Sequence, residues 1–332
     1  MIAQLEIRKS TLAFALTAST LLGFAAVTHA AERVTVVGAG PGAGAFQMAG
    51  AMAEGVNRSK LDVTMTNRAS PGFVANTRMV ETGSSEFALT NGIFVFDAQH
   101  GNAPFKEMKA KNIRGVGPVS TSWFQMAVTQ ASGIKTYMDL KGKRVSYGPK
   151  GSNTEFMTRT IMEQLGIHDS IKKEYMGWDK AATAMTDGTI DAFGIPNPVP
   201  SPSILQASAS APLRILALPP SVVDMFVKSN PGYYKATIKP GSYKGMEKES
   251  FDTVAYTIFV TVNAKVSNDV VYKVTKATYG PANREFIVNA FKAWRVGFEA
   301  IKDKGFLDQM KAFGMALHPG AAKYWGEAGL TN

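Results

Sequence analysis

The chain has no cysteine, and its 332 residues include only four histidines, His29, His100, His168 and His318. Without thiols there can be no disulfide, no thiolate nucleophile and no zinc–thiolate site. No H-x-x-H or H-E-x-x-H spacing is present either, so a zinc hydrolase has no ligand set. A G-x-S-x-G elbow is missing, no paired carboxylates stand out and no histidine has a convincing triad partner, which leaves an enzyme without a visible nucleophile or base. Long basic runs are absent too. The formal charge is +10, yet no cluster exceeds the pairs Lys143-Arg144 and Lys172-Lys173. Such scattered charge predicts a solvated basic surface, not a nucleic-acid footprint. Beyond residue 30, no stretch approaches the roughly 20 apolar residues that a membrane span requires.

What is present is ordinary globular composition, 45% hydrophobic and 19% charged, enough for one or two domains with a large core and no need of staples. The first thirty residues differ. Arg8 and Lys9 precede an uncharged run over 11–27, which ends in Thr28-His29-Ala30. A basic start, a short apolar run and a small-x-small end predict a Sec signal peptide cleaved near Ala30 and a periplasmic mature chain, with a retained anchor as the alternative. Removing Glu6, Arg8 and Lys9 takes the net charge from +10 to +9.

After the signal, short apolar strands alternate with helical patterns at 34–37, 45–56, 63–66, 74–80 and 87–90. This order predicts α/β architecture with parallel strands. A second unit then repeats the first: a strand at 143–147, a Gly-rich loop at 148–154 and a helix at 155–165. Residues 79–88 (M-V-E-T-G-S-S-E-F-A) and 185–193 (M-T-D-G-T-I-D-A-F) also correspond. Each reads as a helix closed by glycine, then an acid and an apolar strand. Two similar lobes follow from this, joined by extended apolar stretches at 115–129 and 253–264. The expected boundaries are a signal at 1–30, a discontinuous first lobe at 31–125 plus 256–332, and a second lobe at 126–255.

Ligands of open α/β sheets collect where loops leave the carboxyl ends of strands. Loops 39–46, 90–92, 150–154 and 195–200 are expected to converge there, which nominates Gly40, Ala45, Phe46, Thr90, Asn91 and Pro196. The first loop, G-A-G-P-G-A, has the G-x-G-x-x-A spacing of a dinucleotide site. Its partner acid is missing, because the strand at 63–66 ends in Asn67-Arg68. Ser152, Asn153 and Thr154 can cradle an anion at a helix N-terminus or cap that helix themselves, with Lys150 adding charge beside them. A third loop, Ser70 to Asn76, follows Arg68, which could clamp a carboxylate or form a surface ion pair. Trp178 and Phe46 could shield an apolar part of a ligand.

D-L-K-G-K-R-V at 139–145 running into G-P-K-G-S-N-T at 148–154, D-G-T-I-D-A-F at 187–193 and L-H-P-G-A-A-K-Y-W-G-E-A-G-L at 317–330 together resemble the TAXI family of TRAP-transporter solute-binding proteins. The first of these motifs is shared with other periplasmic binding proteins. The resemblance implies a type II periplasmic-binding-protein fold closing on a small organic anion, a carboxylate or amino acid, with delivery to TRAP-type permease subunits. It implies a non-enzymatic, cofactor-free and monomeric receptor, with ligand contacts from 38–46, 70–76, Thr90-Asn91 and 151–154. Phe46 stands where relatives usually have tyrosine, and Lys150 and Asn153 depart from the usual G-P-P-G-S-G-T. The alternatives are a binding protein of an ABC-type importer, a ligand sensor for a signalling partner, and an exported enzyme or dinucleotide binder.

Overall fold

Val34, Val36 and Val37 lie buried in the first strand, β1 (Glu32–Val37), and Met48, Met52 and Val56, spaced at i, i+4 and i+8, bury one stripe of the helix that follows, α1 (Gly44–Arg58). A computed structural model describes residues 31–230, 232–302 and 305–331. The signal-peptide reading of 1–30 lies outside the described residues. From Ala31 onward the chain forms one compact unit, and among the described residues no helix is long and apolar enough to cross a membrane.

The β–α alternation continues with β2 (Val63–Arg68), α2 (Phe73–Thr82), β3 (Phe87–Asn91) and α3 (Gly92–His100). A long strand, β4 (Ile113–Thr129), then leads to β5 (Arg144–Ser146), α4 (Asn153–Gln164), β6 (Lys172–Glu174), α5 (Trp178–Thr186), β7 (Ala192–Asn197) and α6 (Pro202–Ser210). Next come β8 (Leu213–Ile215), α7 (Pro220–Ser229), β9 (Tyr234–Ile238) and a second long strand, β10 (Phe251–Asn263). The chain ends in α8 (Asn268–Tyr279), α9 (Pro281–Ala290), α10 (Trp294–Ala300), α11 (Gly305–Ala312) and α12 (Pro319–Glu327).

These strands form one sheet in the order β2-β1-β3-β10-β4-β7-β5-β6, with β8 paired to β4 and β9 to β10. The order mirrors itself about the β10–β4 pair. β1 is parallel to β2 and β3, β5 is parallel to β6 and β7, and the long strands run antiparallel to β3 and β7 respectively. The duplication expected from the sequence is therefore present in the topology. The mixed α/β class is as expected, and the apolar stretches at 115–129 and 253–264 are the two strands that hold the halves together.

At about 3.3 Å per residue, β4, with 17 residues, and β10, with 13, are long enough to belong to both halves. β10 pairs with β3 through 258–262, whereas β4 pairs with β7 through 123–128. Their shared ladder breaks register between Ile258 and Phe259 and again between Val260 and Thr261. The first break faces Pro118, which has no N–H to give to a ladder.

Glycine closes the corresponding helix in each half. Gly83 follows α2 at φ 78° and Gly188 lies just past α5 at φ 72°, the left-handed region that glycine enters at little cost.

The halves differ in what covers them. Tyr279 sits with its ring centroid 5.0 Å from Trp325, 6.0 Å from Trp294 and 6.2 Å from Phe298. The polar edges of the cluster are bonded to the fold: Trp294 Nε1 donates to Met48 O at 3.0 Å and Trp325 Nε1 to Val116 O at 2.7 Å. The C-terminal helices thus fasten α1 and β4 together.

Candidate functional site

Helices follow the carboxyl ends of the strands throughout: α1 after β1, α2 after β2, α3 after β3, and likewise α4, α5 and α6 after β5, β6 and β7. The first N–H groups of these helices carry partial positive charge and have no intrahelical acceptor. Where the halves face each other, several meet protein partners. Gly44 N–H donates to Asn197 Oδ1 at 2.9 Å, and Ala75 N–H donates to Gly151 O at 3.1 Å. Asn197 is itself held, its Nδ2 donating to Ser201 Oγ at 2.8 Å and its carbonyl accepting from Gln125 Nε2 at 3.2 Å. Tyr243 completes the set, donating to Gln125 Oε1 and accepting from Ser201 N–H.

The glycines of the first loop are explained by this junction. A Cβ on Gly44 would stand 2.8 Å from Asn197 Oδ1, one on Gly42 would stand 2.4 Å from Asp179 N, and one on Gly38 would stand 2.0 Å from Ala45 O. The space beside them holds the protein's own backbone and Asn197. Gly42 and Gly44 thus serve a close approach between the two halves, whereas Gly38, the first glycine of the G-x-G-x-x-A spacing, makes room for the loop's own Ala45 carbonyl.

Of the residues singled out in the sequence, the structure brings Gly40, Ser70, Ser152, Asn153 and Thr154 together, with Ala45 and Pro196 next to the Gly44–Asn197 bond. Gly40 lies against the Ser70 carbonyl and the Trp178 ring, and Ser70 N–H donates to Ala39 O at 3.0 Å. Gly72 packs on Ser152 and Asn153. Most of these polar groups are already engaged. Ser152 Oγ caps α4 by accepting from Glu155 N–H at 3.0 Å, Thr154 Oγ1 accepts from Trp178 Nε1 at 3.0 Å, and Asn153 Nδ2 donates to Tyr256 Oη at 2.6 Å. Burial pushes the Tyr256 phenol up, against hydrogen bonds with Ser122 and Asn153, so it is neutral at physiological pH.

Asn76, Thr90 and Asn91 brace the first half. Asn76 Nδ2 donates to Gly38 O at 2.7 Å and Leu89 O at 2.8 Å, tying β1 to β3. Thr90 Oγ1 is 2.9 Å from Thr77 Oγ1, and Asn91 Oδ1 caps α3 through Phe94 N–H at 2.8 Å. Each asparagine leaves one buried atom unused: Asn76 Oδ1 and Asn91 Nδ2, like Ser70 Oγ, have no hydrogen-bond partner among the described residues. Buried polar atoms in that state are few in folded proteins and mark places where another group can bond.

Three nominated residues are placed elsewhere. Arg68 is exposed and its Nη2 donates to Ser84 O at 2.6 Å at the edge of the first half. Lys150 is exposed and lies over the Tyr175 ring, 5.1 Å from its centroid. Phe46 is half-buried in a surface groove beside Gln47, Gly50 and Asn67, and its carbonyl accepts from Asn67 Nδ2 at 3.1 Å.

Sequence reasoning missed Asn197, Gln125, Tyr243, Ser201 and Tyr256, and read Trp178 as a shield, not as a donor to Thr154. A signal existed for Asn197. Extending the repeat that pairs 79–88 with 185–193 by a few residues ends both copies on asparagine, Asn91 closing β3 and Asn197 closing β7. The others come from remote parts of the chain and carry no local pattern. Among the described residues no group of three or more His, Asp or Glu is placed to hold a metal ion.

The profile of one family matches residues 37–329, nearly the whole of the described chain. The chain belongs to the NMT1-like family. Solved structures of similar fold include PhnD1 from Prochlorococcus marinus, in complex with methylphosphonate, at 10% identity, covering 85% of this chain and 99% of that one with a TM-score of 0.52. A structure described as a periplasmic transporter shares 14% identity over 83% of this chain and 97% of that one, with a TM-score of 0.50. The aliphatic sulphonate binding protein SsuA from Escherichia coli shares 16% identity over 89% of this chain and 78% of that one, with a TM-score of 0.43. This NMT1-like chain therefore has the fold of PhnD1 and of that periplasmic transporter, in the α/β class expected. The expected family of solute-binding proteins is met at the level of the NMT1-like family.

Proposed function

We propose that this NMT1-like protein is an extracytoplasmic solute receptor, not an enzyme, which takes a small organic anion such as a carboxylate or amino acid between its two halves and passes it to a membrane importer. The observation that carries the reading is the junction itself. The N-termini of α1 and α2 in the first half meet Asn197, at the end of β7, and Gly151, just before α4, in the second, beside buried polar atoms that lack partners. An anion there would accept from N–H groups and neutral donors that offset the cost of leaving water.

Opening needs those cross-bonds to part while the sheet stays whole. The register breaks in β4 and β10 lie where two lobes, 31–125 plus 256–332 and 126–255, would turn against each other. PhnD1, whose described complex holds methylphosphonate, illustrates that the fold accommodates a small oxyanion. We place an ABC-type importer ahead of a TRAP permease as the partner, because the TRAP reading rested on the TAXI resemblance and the family matched is NMT1-like. Export to the periplasm is part of the same reading.

A thermal-shift screen of the purified protein against small carboxylates, amino acids and phosphonates tests it. A ligand bound by the native state alone raises Tm by mass action. One class of small anion should do so at micromolar concentration. No shift across the panel, or a shift with NAD(H) alone, overturns the proposal.

A further inference from the structure

On the far side of the turn that follows Asn197, a groove of about 770 Å³ opens on the surface, within the roughly 300–1,000 Å³ typical of small-ligand sites. One wall is the proline-rich turn after β7 and the start of α6, with Pro198, Val199 and Leu205. The other is the α9–α10 junction, with Phe291 and Val296. The lining is mostly carbon. Leu205 is 45% exposed and Val296 41%, and both open into this one groove. Single exposed apolar residues are ordinary, whereas two on facing walls of a concavity make a patch that a ligand can cover.

The rim is charged and unevenly so. Lys292 and Arg295 border the groove and are exposed, and neither belongs to a salt bridge among the described residues. The carboxylate on the rim, Glu299, is bonded to Lys302. Carbon walls with two cations at the edge, Arg295 shared with the Glu299 carboxylate and Lys292 in no salt bridge among the described residues, complement a molecule with an apolar body and a negative head.

We infer that this groove, which adjoins the junction of the loops through Pro198, is a further binding site for an amphipathic organic anion. Its hydrocarbon or aryl body lies against Leu205, Phe291 and Val296, and its carboxylate is directed to Lys292 and Arg295. The site does not depend on the solute-receptor reading, since none of these five side chains takes part in the Gly44–Asn197 junction.

Calorimetric titration with octanoate, and with octylammonium as the cation of equal chain length, tests the inference. Octanoate should bind saturably and at least about tenfold more tightly than octylammonium, the margin expected when two cations face the head group. Leu205→Asp and Val296→Asp, both at exposed positions, should each weaken octanoate by about tenfold or more, since each removes apolar contact and adds a like charge. The double variant Lys292→Ala/Arg295→Ala should abolish the preference for octanoate over octylammonium. Non-saturable octanoate binding, equal affinity for the two head groups, or unchanged octanoate affinity in the aspartate variants overturns the proposal.

Discussion

In the first half of the sheet Glu86 Oε2 accepts from Thr35 N–H at 2.8 Å, and in the second Asp191 Oδ2 accepts from Arg144 N–H at 2.7 Å. Each acid stands at the start of an inner strand, β3 or β7, and pins the neighbouring strand, β1 or β5, through a main-chain donor. The equivalence stops there. Glu86 takes its second bond from the Thr35 hydroxyl, whereas Asp191 takes a forked pair from the Arg144 guanidinium. Above this shared frame the first half carries the aromatic cluster of the C-terminal helices, while in the second half Tyr147 packs with His168 and Tyr175. One supersecondary plan thus carries a C-terminal aromatic clamp on one side and a smaller cluster of rings on the other.

The clamp is where the halves can be separated most sharply. Trp294 is fully buried and bonded to Met48 O, so Trp294→Ala should cost about 3–5 kcal/mol, read as a lowered urea midpoint. Octanoate or solute binding should be judged only where the variant is still folded.

A smaller effect tests whether Asn91 and Asn197 are true counterparts. Asn197→Ala strands the Gly44 N–H and removes one bond from Ser201 Oγ, which keeps Ser203 Oγ at 3.2 Å, and should cost about 1–3 kcal/mol. Asn91→Ala loses a helix cap, about 1 kcal/mol. If the two losses are equal in chemical denaturation, the junction contributes nothing beyond the cap.

Helix starts give the next contrast. The N-cap of α4 is Ser152, while that of α2 is Gly72, whose Cβ would fall 3.2 Å from Ser152 Cβ. Ser152→Ala should therefore lose about 1 kcal/mol, and Ser152→Gly only a few tenths. Because Ser152 Oγ is committed to Glu155 N–H, a loss of solute affinity shared by Ser152→Ala and Ser152→Gly, despite their different stabilities, would mean that the hydroxyl contacts the solute directly.

The smallest effects are in pH dependence. The Arg144 hydrogen bonds hold Asp191 below its usual value despite partial burial. Glu86 is also held low: burial raises it, and the two Thr35 bonds outweigh that. A lowered folded-state pKa means the stabilisation is complete above the unfolded value of about 4 and is lost as pH falls through the folded one. Asp191→Asn and Glu86→Gln should each flatten the acid limb of a stability–pH curve measured by denaturant titration, with no change in its slope above pH 6. The sequence pairing of 79–88 with 185–193 would be a coincidence of pattern if only one of them did so.

Much of the frame was legible beforehand. The apolar stretches at 115–129 and 253–264 are β4 and β10 to within two residues, because uncharged runs rich in β-branched and aromatic residues favour strands. The helix expected over 155–165 is α4, announced by three consecutive good cap residues. Site placement was legible only in part. Arg68, Lys150 and Phe46 were nominated for their chemistry and their neighbours in sequence, yet the first two are held at the surface by Ser84 and Tyr175 and the third packs beside Asn67. A long side chain reaches several directions from the same backbone position, and only its neighbours in space choose among them.

By itself, the sequence determined where strands and helices run, that the pattern occurs twice and that glycine must close α2 and end α5, since periodicity and backbone sterics act over a few neighbouring residues. Tertiary structure alone decided that Gly44 meets Asn197 across 153 positions and that Trp178 donates to Thr154. It likewise decided that Leu205 and Val296 share a groove. Hydrogen bonds and burial of this kind depend on distances that chain connectivity leaves open until the sheet has closed around β4 and β10.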